Sequence, residues 1–170
     1  MLTSGESVIE VNRSTESDIR EFIAWRYDPP YDVYNMSDEA SELVAYFLRP
    51  DVNCHTLHEG DVVVGFFTLG SDAHVPGGDY QTQATDVGMG IRPERTGAGE
   101  GRGFVEIVLD HVVEMLNPSL VRVTVAAGNK RALKVWKRAG FSEASRFSSG
   151  REILGSSDFA VLIWSPEDRI

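Results

Sequence analysis

The chain has 170 residues, 42% of them hydrophobic and 25% charged, which is the length and balance of one globular domain rather than of a disordered or fibrous polypeptide. Its 16 Lys and Arg stand against 26 Asp and Glu, a formal net charge of −10 that argues against a general nucleic-acid binder and is compatible with attracting a cationic substrate. The one cysteine, Cys54, rules out a disulfide within the chain; with no secretory leader and no apolar run of about 18 residues, the expectation is a cytoplasmic protein that engages no membrane.

Val8 to Val11 reads as a short strand. Thr15 is placed to cap a following helix, with Asp18 as the return partner of a capping box. Ile19, Phe22, Ile23 and Arg26 keep helical spacing, so a helix is predicted from about Glu16 to Tyr27, stopped by Asp28-Pro29-Pro30. Ser37 is the expected cap of a second helix, whose Ala40, Leu43, Val44 and Phe47 share a face. Cys54 to His58 and Val62 to Leu69 read as the arms of a hairpin turning at Glu59-Gly60-Asp61. The polar loop Gly70 to Tyr80 precedes a strand expected from Thr82 to Ile91. After a glycine cluster comes a helix from about Gly101 to Leu116, with Phe104, Val105, Val108, Leu109, Val112 and Met115 as its buried stripe. Leu120 to Val125 is a strand and Asn129 to Ala139 a helix ended at Gly140. Glu143 to Trp164 is a hairpin turning near Gly150 or Gly155. No repeat or linker divides the chain, so residues 1–170 are taken as one domain of α/β class with a mixed, largely antiparallel sheet.

Eleven of the 16 glycines lie between Gly60 and Gly103, most densely in Thr96-Gly97-Ala98-Gly99-Glu100-Gly101-Arg102-Gly103. Glycines at alternate positions let backbone N–H groups converge without Cβ obstruction, and the start of the following helix adds its positive end. A phosphate or pyrophosphate suits such a site. The P-loop pattern would need Gly-Lys-Ser/Thr at its end, and the dinucleotide fingerprint would need glycine where Arg102 stands, so neither nucleotide motif fits.

The run Ile91-Arg92-Pro93-Glu94-Arg95-Thr96-Gly97-Ala98-Gly99-Glu100-Gly101-Arg102 resembles the acyl-CoA-binding motif of the GCN5-related N-acetyltransferases, V-x-P-x-x-(R/Q)-G-x-G-x-(G/A). Downstream, Asn129 to Phe141 is similar to the second motif of that family, N-x-x-A-x-x-x-(Y/F)-x-x-x-G-F. Together the motifs cover about Asp86 to Phe141. The resemblance implies the family's fold, a mostly antiparallel sheet with two splayed parallel strands and about four helices. It also implies acetyl-CoA as acyl donor, and a small-molecule or peptide amine as acceptor. Since many members dimerise, a homodimer is admitted.

Carried over position by position, the resemblance puts the pyrophosphate on the loop of Thr96, Gly97, Ala98, Gly99, Glu100, Gly101 and Arg102. Pantetheine would run along the backbone of Met89 and Ile91, and the Met89 N–H would serve the thioester carbonyl. Asn129 becomes a polar contact to the pantetheine arm, alongside its role as a helix cap. Asp86 stands where many members carry an acidic residue and is the first candidate base, an unactivated strand Asp being the alternative; His74 and Asp79 are weaker candidates. Two positions depart from the pattern. Thr96 replaces an Arg or Gln, a loss that Arg95 or Arg102 would have to make up. Trp136 replaces a Tyr often proposed as general acid, and it reads as a packing aromatic near the donor.

The segment Trp25 to Asn35 is dense in aromatics and acids. Tyr27, Tyr31 and Tyr34 are candidate substrate-binding residues, since aromatic faces with carboxylates such as Asp28 and Asp32 suit a protonated amine; a proline-stiffened connector is the other reading. His55 and His58, three apart on a strand, do not face one way and no metal is expected, while His111 reads as a surface residue. The leading expectation is an N-acetyltransferase acting on a cationic amine by direct attack on the thioester. A non-catalytic acyl-CoA-binding or regulatory module and a transferase of longer acyl chains are the alternatives.

Overall fold

The computed structural model describes residues 8–168. Its strands are β1 Ile9–Arg13, β2 His55–Glu59, β3 Val62–Leu69, β4 Thr85–Ile91, β5 Val121–Ala126, β6 Ser142–Ile153 and β7 Ser156–Trp164. Its α-helices are α1 Glu16–Ile23, α2 Ala40–Phe47, α3 Gly101–Leu116 and α4 Lys130–Arg138. The strands lie in the order β1-β2-β3-β4-β5-β7-β6. Every neighbouring pair is antiparallel except β4 and β5.

That exception shapes the molecule. β4 and β5 pair only at Thr85 with Val121 and Asp86 with Arg122. Beyond Asp86, β4 stays in unbroken register with β3 as far as Ile91 opposite Gly65, and β5 stays with β7. The sheet therefore divides into two halves with a gap between them. One core cluster fills the face under α3 and α4, where Val87, Val105, Val108, Val112, Val121 and Leu162 are at most 2% exposed. A second, built on Ile19, Phe22, Val44 and Phe47, lies under α1 and α2.

Local chemistry explains most element boundaries. The capping box at α1 forms: Thr15 Oγ accepts from the Asp18 N–H and Asp18 accepts from the Thr15 N–H. α1 ends at Ile23, four residues short of the expected Tyr27. The Arg26 guanidinium donates to the carbonyls of Ile23 and Trp25, satisfying groups at the helix end, and frees Trp25 and Tyr27 to turn inward. α2 begins after Glu39, whose carbonyl takes the first helical N–H groups, so Ser37 is not its cap. β4 begins at Thr85, not Thr82, because the Thr82 carbonyl is taken by the Arg122 side chain. Met115 is 41% exposed in the last turn of α3 and drops out of the expected stripe. The β6–β7 hairpin turns at Leu154-Gly155, where both residues have positive φ (53° and 84°) as a two-residue hairpin loop demands. No helix among the described residues is long and apolar enough to cross a membrane.

Candidate active site

Alternation along β4 decides which backbone groups face the gap. The Asp86 carbonyl and the Arg92 N–H bond toward β3, through Gly70 and Val64, whereas the Thr85 N–H bonds toward β5. Even-numbered positions thus serve the β3 ladder, and Met89 and Ile91 present their N–H and C=O groups to the gap. The side chains follow the complementary rule. Val87, Met89 and Ile91 lie on the α3 side, while on the opposite face the Phe66 ring covers Gly90 and Thr68 with Ala73 covers Gly88, approaches a side chain would block.

At one lip of the gap the chain makes a tight turn at Pro93–Arg95 and enters the glycine loop. Gly97 and Gly99 adopt φ of 75° and 79°, which only glycine takes without strain. The start of α3 has no side-chain cap and no acidic residue in its first turn, so its first N–H groups are available to an anion. Gly101 sits against Val135, where a Cβ would come within 2.9 Å, and this close approach seats α3 on α4. The Thr96 hydroxyl donates to the Pro93 carbonyl at 2.6 Å and so braces the turn. Arg95 is gripped by Glu100 through two 2.8 Å bonds and by Glu59 at 3.2 Å. The hydrogen bonds Arg95 donates to Glu100 hold its guanidinium well above its ordinary range, and the same bonds hold the Glu100 carboxyl below its own. Arg95 is therefore not the free replacement for the missing Arg or Gln. Arg102 pairs with Glu106 at 3.0 Å and stays exposed at the rim.

α4 supplies charge that the sequence reading overlooked. Arg131, Lys134 and Arg138 line the cleft, and their spacing of three and four along a helix was the available signal. Asn129 does cap α4, accepting from the Ala132 N–H at 3.0 Å, and its amide nitrogen donates to the Tyr34 hydroxyl at 3.0 Å. Trp136, 7% exposed, meets Phe141 edge-on at 5.0 Å and shows one side to the cleft.

The connector between α1 and α2 arches over the gap and touches both sides of it. The Tyr27 hydroxyl donates to the Ile91 carbonyl at 2.6 Å; burial pushes its pKa up to about 12, so it stays a protonated donor. Arg131 lies 3.9 Å over the Tyr31 ring. Tyr34 is tied to Asn129, and burial raises its pKa as well. The whole cleft has a volume of about 750 Å³.

Asp86, expected as the base, is placed otherwise. It is 5% exposed and absent from the cleft lining. Arg122 donates to both of its oxygens at 2.6 and 2.9 Å, and His74 Nε2 lies 2.9 Å from Oδ2. Three contacts thus tie the carboxylate to Arg122 and His74. Asp79 is exposed and accepts from the Gln81 N–H, away from the cleft. Asp28 and Asp32, the carboxylates expected beside the tyrosines, are exposed and outside the cleft lining, which holds no acidic residue; Glu94 is the carboxylate whose charge reaches Tyr27. His55 stacks on Phe67 at 5.1 Å, His58 pairs with Asp18 at 2.8 Å, and His111 packs beside His55 at 5.4 Å instead of standing free at the surface.

A sheet parted between two parallel strands, with a glycine cradle and an uncapped helix start at one lip, is the architecture of an acyl-CoA acyltransferase. The model of the acetyltransferase (GNAT) family matches residues 17–141, and the chain belongs to that family of acyl-CoA-dependent N-acetyltransferases, whose donor is acetyl-CoA. Among solved structures, spermidine N-acetyltransferase from Vibrio cholerae in complex with CoA and spermine superposes with a TM-score of 0.74 at 17% identity, covering 96% of this chain and 98% of that one. A dodecameric structure of the same enzyme in an intermediate state gives 0.69 at 19% identity, over 97% and 98% of the two chains. A chimera of that enzyme with hSSAT gives 0.75 at 17% identity, over 92% and 95%. At these identities the likeness is one of fold. Among curated protein sequences no match is found.

Proposed function

We propose that the chain moves the acetyl group of acetyl-CoA to the nitrogen of a primary amine by direct attack on the thioester. The observation that supports this reading best is the strand gap, with the backbone groups of Met89 and Ile91 facing it between the glycine loop and the aromatic connector. Bound there, acetyl-CoA supplies an acyl carbon activated by sulfur. Amide N–H groups of residues 97–101 would hold the pyrophosphate, with Thr96 and Arg102 at the rim and Arg131, Lys134 and Arg138 balancing its charge. Asn129 and the backbone of Ile91 would hold the pantetheine arm, against which Trp136 packs.

The Met89 N–H would then donate to the carbonyl oxygen as negative charge develops there. Tyr27, Tyr31 and Tyr34 wall the acceptor side. The amine attacks in its neutral form, and removal from water among aromatic side chains favours that form by disfavouring the ammonium. As the N–C bond forms and the C–S bond breaks, the nitrogen loses a proton to solvent. We give Asp86 a supporting role: paired with Arg122 across the last bonded position of β4 and β5, it fixes where the strands part. A homodimer is carried with this reading, supported by the dodecamer of the Vibrio cholerae enzyme.

A thermal-shift titration followed by a thiol-release assay over an amine panel tests it. Acetyl-CoA and CoA should raise the melting temperature and ATP should not; thiol should appear only when an amine is added. Stabilisation by CoA with no thiol release from any amine would instead establish an acyl-CoA-binding module. Two observations favour that second reading: Trp136 stands where a proton donor is often found, and Arg95 is closed off by Glu59 and Glu100.

A further inference from the structure

The acceptor end of the cleft has a chemistry that selects among amines. Phe66 of β3 forms its floor. The ring lies directly on Gly90, where a Cβ would stand only 2.3 Å from it. Phe22 of α1 stacks on Phe66 with centroids 4.0 Å apart and planes 12° from parallel, and Trp25 stands 6.0 Å from the same ring. Met36 packs against this cluster, and Tyr27, Tyr31 and Tyr34 line the same cleft.

Charge is distributed just as unevenly. Every charged residue lining the cleft is an Arg or Lys, and no lining residue carries a carboxylate. A polyamine brings several ammonium groups, each needing an anion or water when buried. With the α4 cations turned to the pyrophosphate, the acceptor end would offer it aromatic faces and no lining carboxylate. An amine on a flat apolar body brings one ammonium where a polyamine brings several. Its ring has Phe66, Met36 and the connector tyrosines to pack on, and its one ammonium is relieved by losing the proton that attack requires it to lose.

Resting on the N-acetyltransferase reading above, we propose that the acceptor is a monoamine borne on an aromatic or similarly flat apolar group, and not a polyamine. The test titrates the full-length protein, saturated with CoA, with phenethylamine, tryptamine and spermidine in a calorimeter, and measures kcat/KM for each with acetyl-CoA. At least one aryl amine should bind ten-fold or more tightly than spermidine, and kcat/KM should rank the same way. Equal or tighter binding of spermidine, or no binding by either aryl amine, overturns the proposal. Aryl-amine binding without acetyl transfer would leave the proposal standing and remove the transferase reading. Preferential acetylation of spermidine would do the reverse. As a second arm, Met36→Glu places a carboxylate in the cluster and should move the aryl-amine to spermidine ratio about ten-fold toward spermidine; an unmoved ratio, in a variant that still binds CoA, would show that acceptors do not dock there.

Discussion

The donor end and the acceptor end of the cleft are built from different parts of the polypeptide. On the proposed reading, the donor end works through backbone amides, exposed by Gly97 and Gly99 and by the bare first turn of α3, with side chains adding only diffuse positive charge from α4. The proposed acceptor end is formed by side chains: Trp25 and Met36 from the connector and Phe66 from β3, backed by the buried Phe22 of α1. A backbone site depends on loop conformation and tolerates most side-chain changes. A side-chain site depends on which residues converge, and each substitution rewrites it. The difference means that donor binding and acceptor choice should respond to different mutations.

The largest separation is expected from Gly99→Glu. Nothing lies within 4 Å of a Cβ at this position, so the fold survives with only left-handed backbone strain, on the order of 1–2 kcal/mol. A carboxylate in the phosphate cradle should nevertheless weaken CoA binding at least 100-fold by calorimetry, while acceptor-end aromatic packing stays intact. Wild-type affinity in this variant would show that the loop does not hold phosphate.

Asp86→Asn probes the hinge between the two ends. Leaving Arg122 buried with half its partner should cost about 3 kcal/mol, or roughly 6–12 °C in melting temperature. The pH dependence of kcat should keep its shape. A lost ascending limb would mean that Asp86 takes the proton after all.

Tyr27→Phe should have the smallest effect. It removes one hydrogen bond to the Ile91 carbonyl, worth about 1 kcal/mol, and should raise the KM for acetyl-CoA a few-fold at most. The pH signature is more specific. The folded Tyr27 pKa, about 12, lies above its unfolded value of 10, so its contribution to stability is complete below pH 10 and is lost as pH rises toward 12. The melting temperature of the variant should fall less steeply than wild type across that window.

The same division explains what could be read from the amino acids alone. Thr15 with Asp18, the apolar stripe of α3 and the alternate glycines from Gly97 to Gly101 are local signals whose meaning is complete within a few residues, and the structure contains all three features. α1 was read too long because its end is set by Arg26 reaching back to its own carbonyls, which helical periodicity does not register. The surroundings of Asp86 are hidden for a similar reason, since its partners Arg122 and His74 lie 36 and 12 residues away. The aromatic cluster joins residues as distant as Phe22 and Phe66, and nothing at either position announces the other. The basic row on α4 was local and visible, but the motif around it drew attention to Asn129 and Trp136 instead.

The connector over the gap has a consequence for how such an enzyme changes over generations. It contributes no strand to the sheet and is held by side chains: Trp25 and Met36 are anchored in the cluster under α1 and α2, while Tyr27 to Ile91, Tyr34 to Asn129 and Tyr31 under Arg131 reach across the gap. On the proposed reading, a change of acceptor can therefore arise within residues 24–39 without touching the sheet, provided the three tyrosine contacts to the donor side are kept.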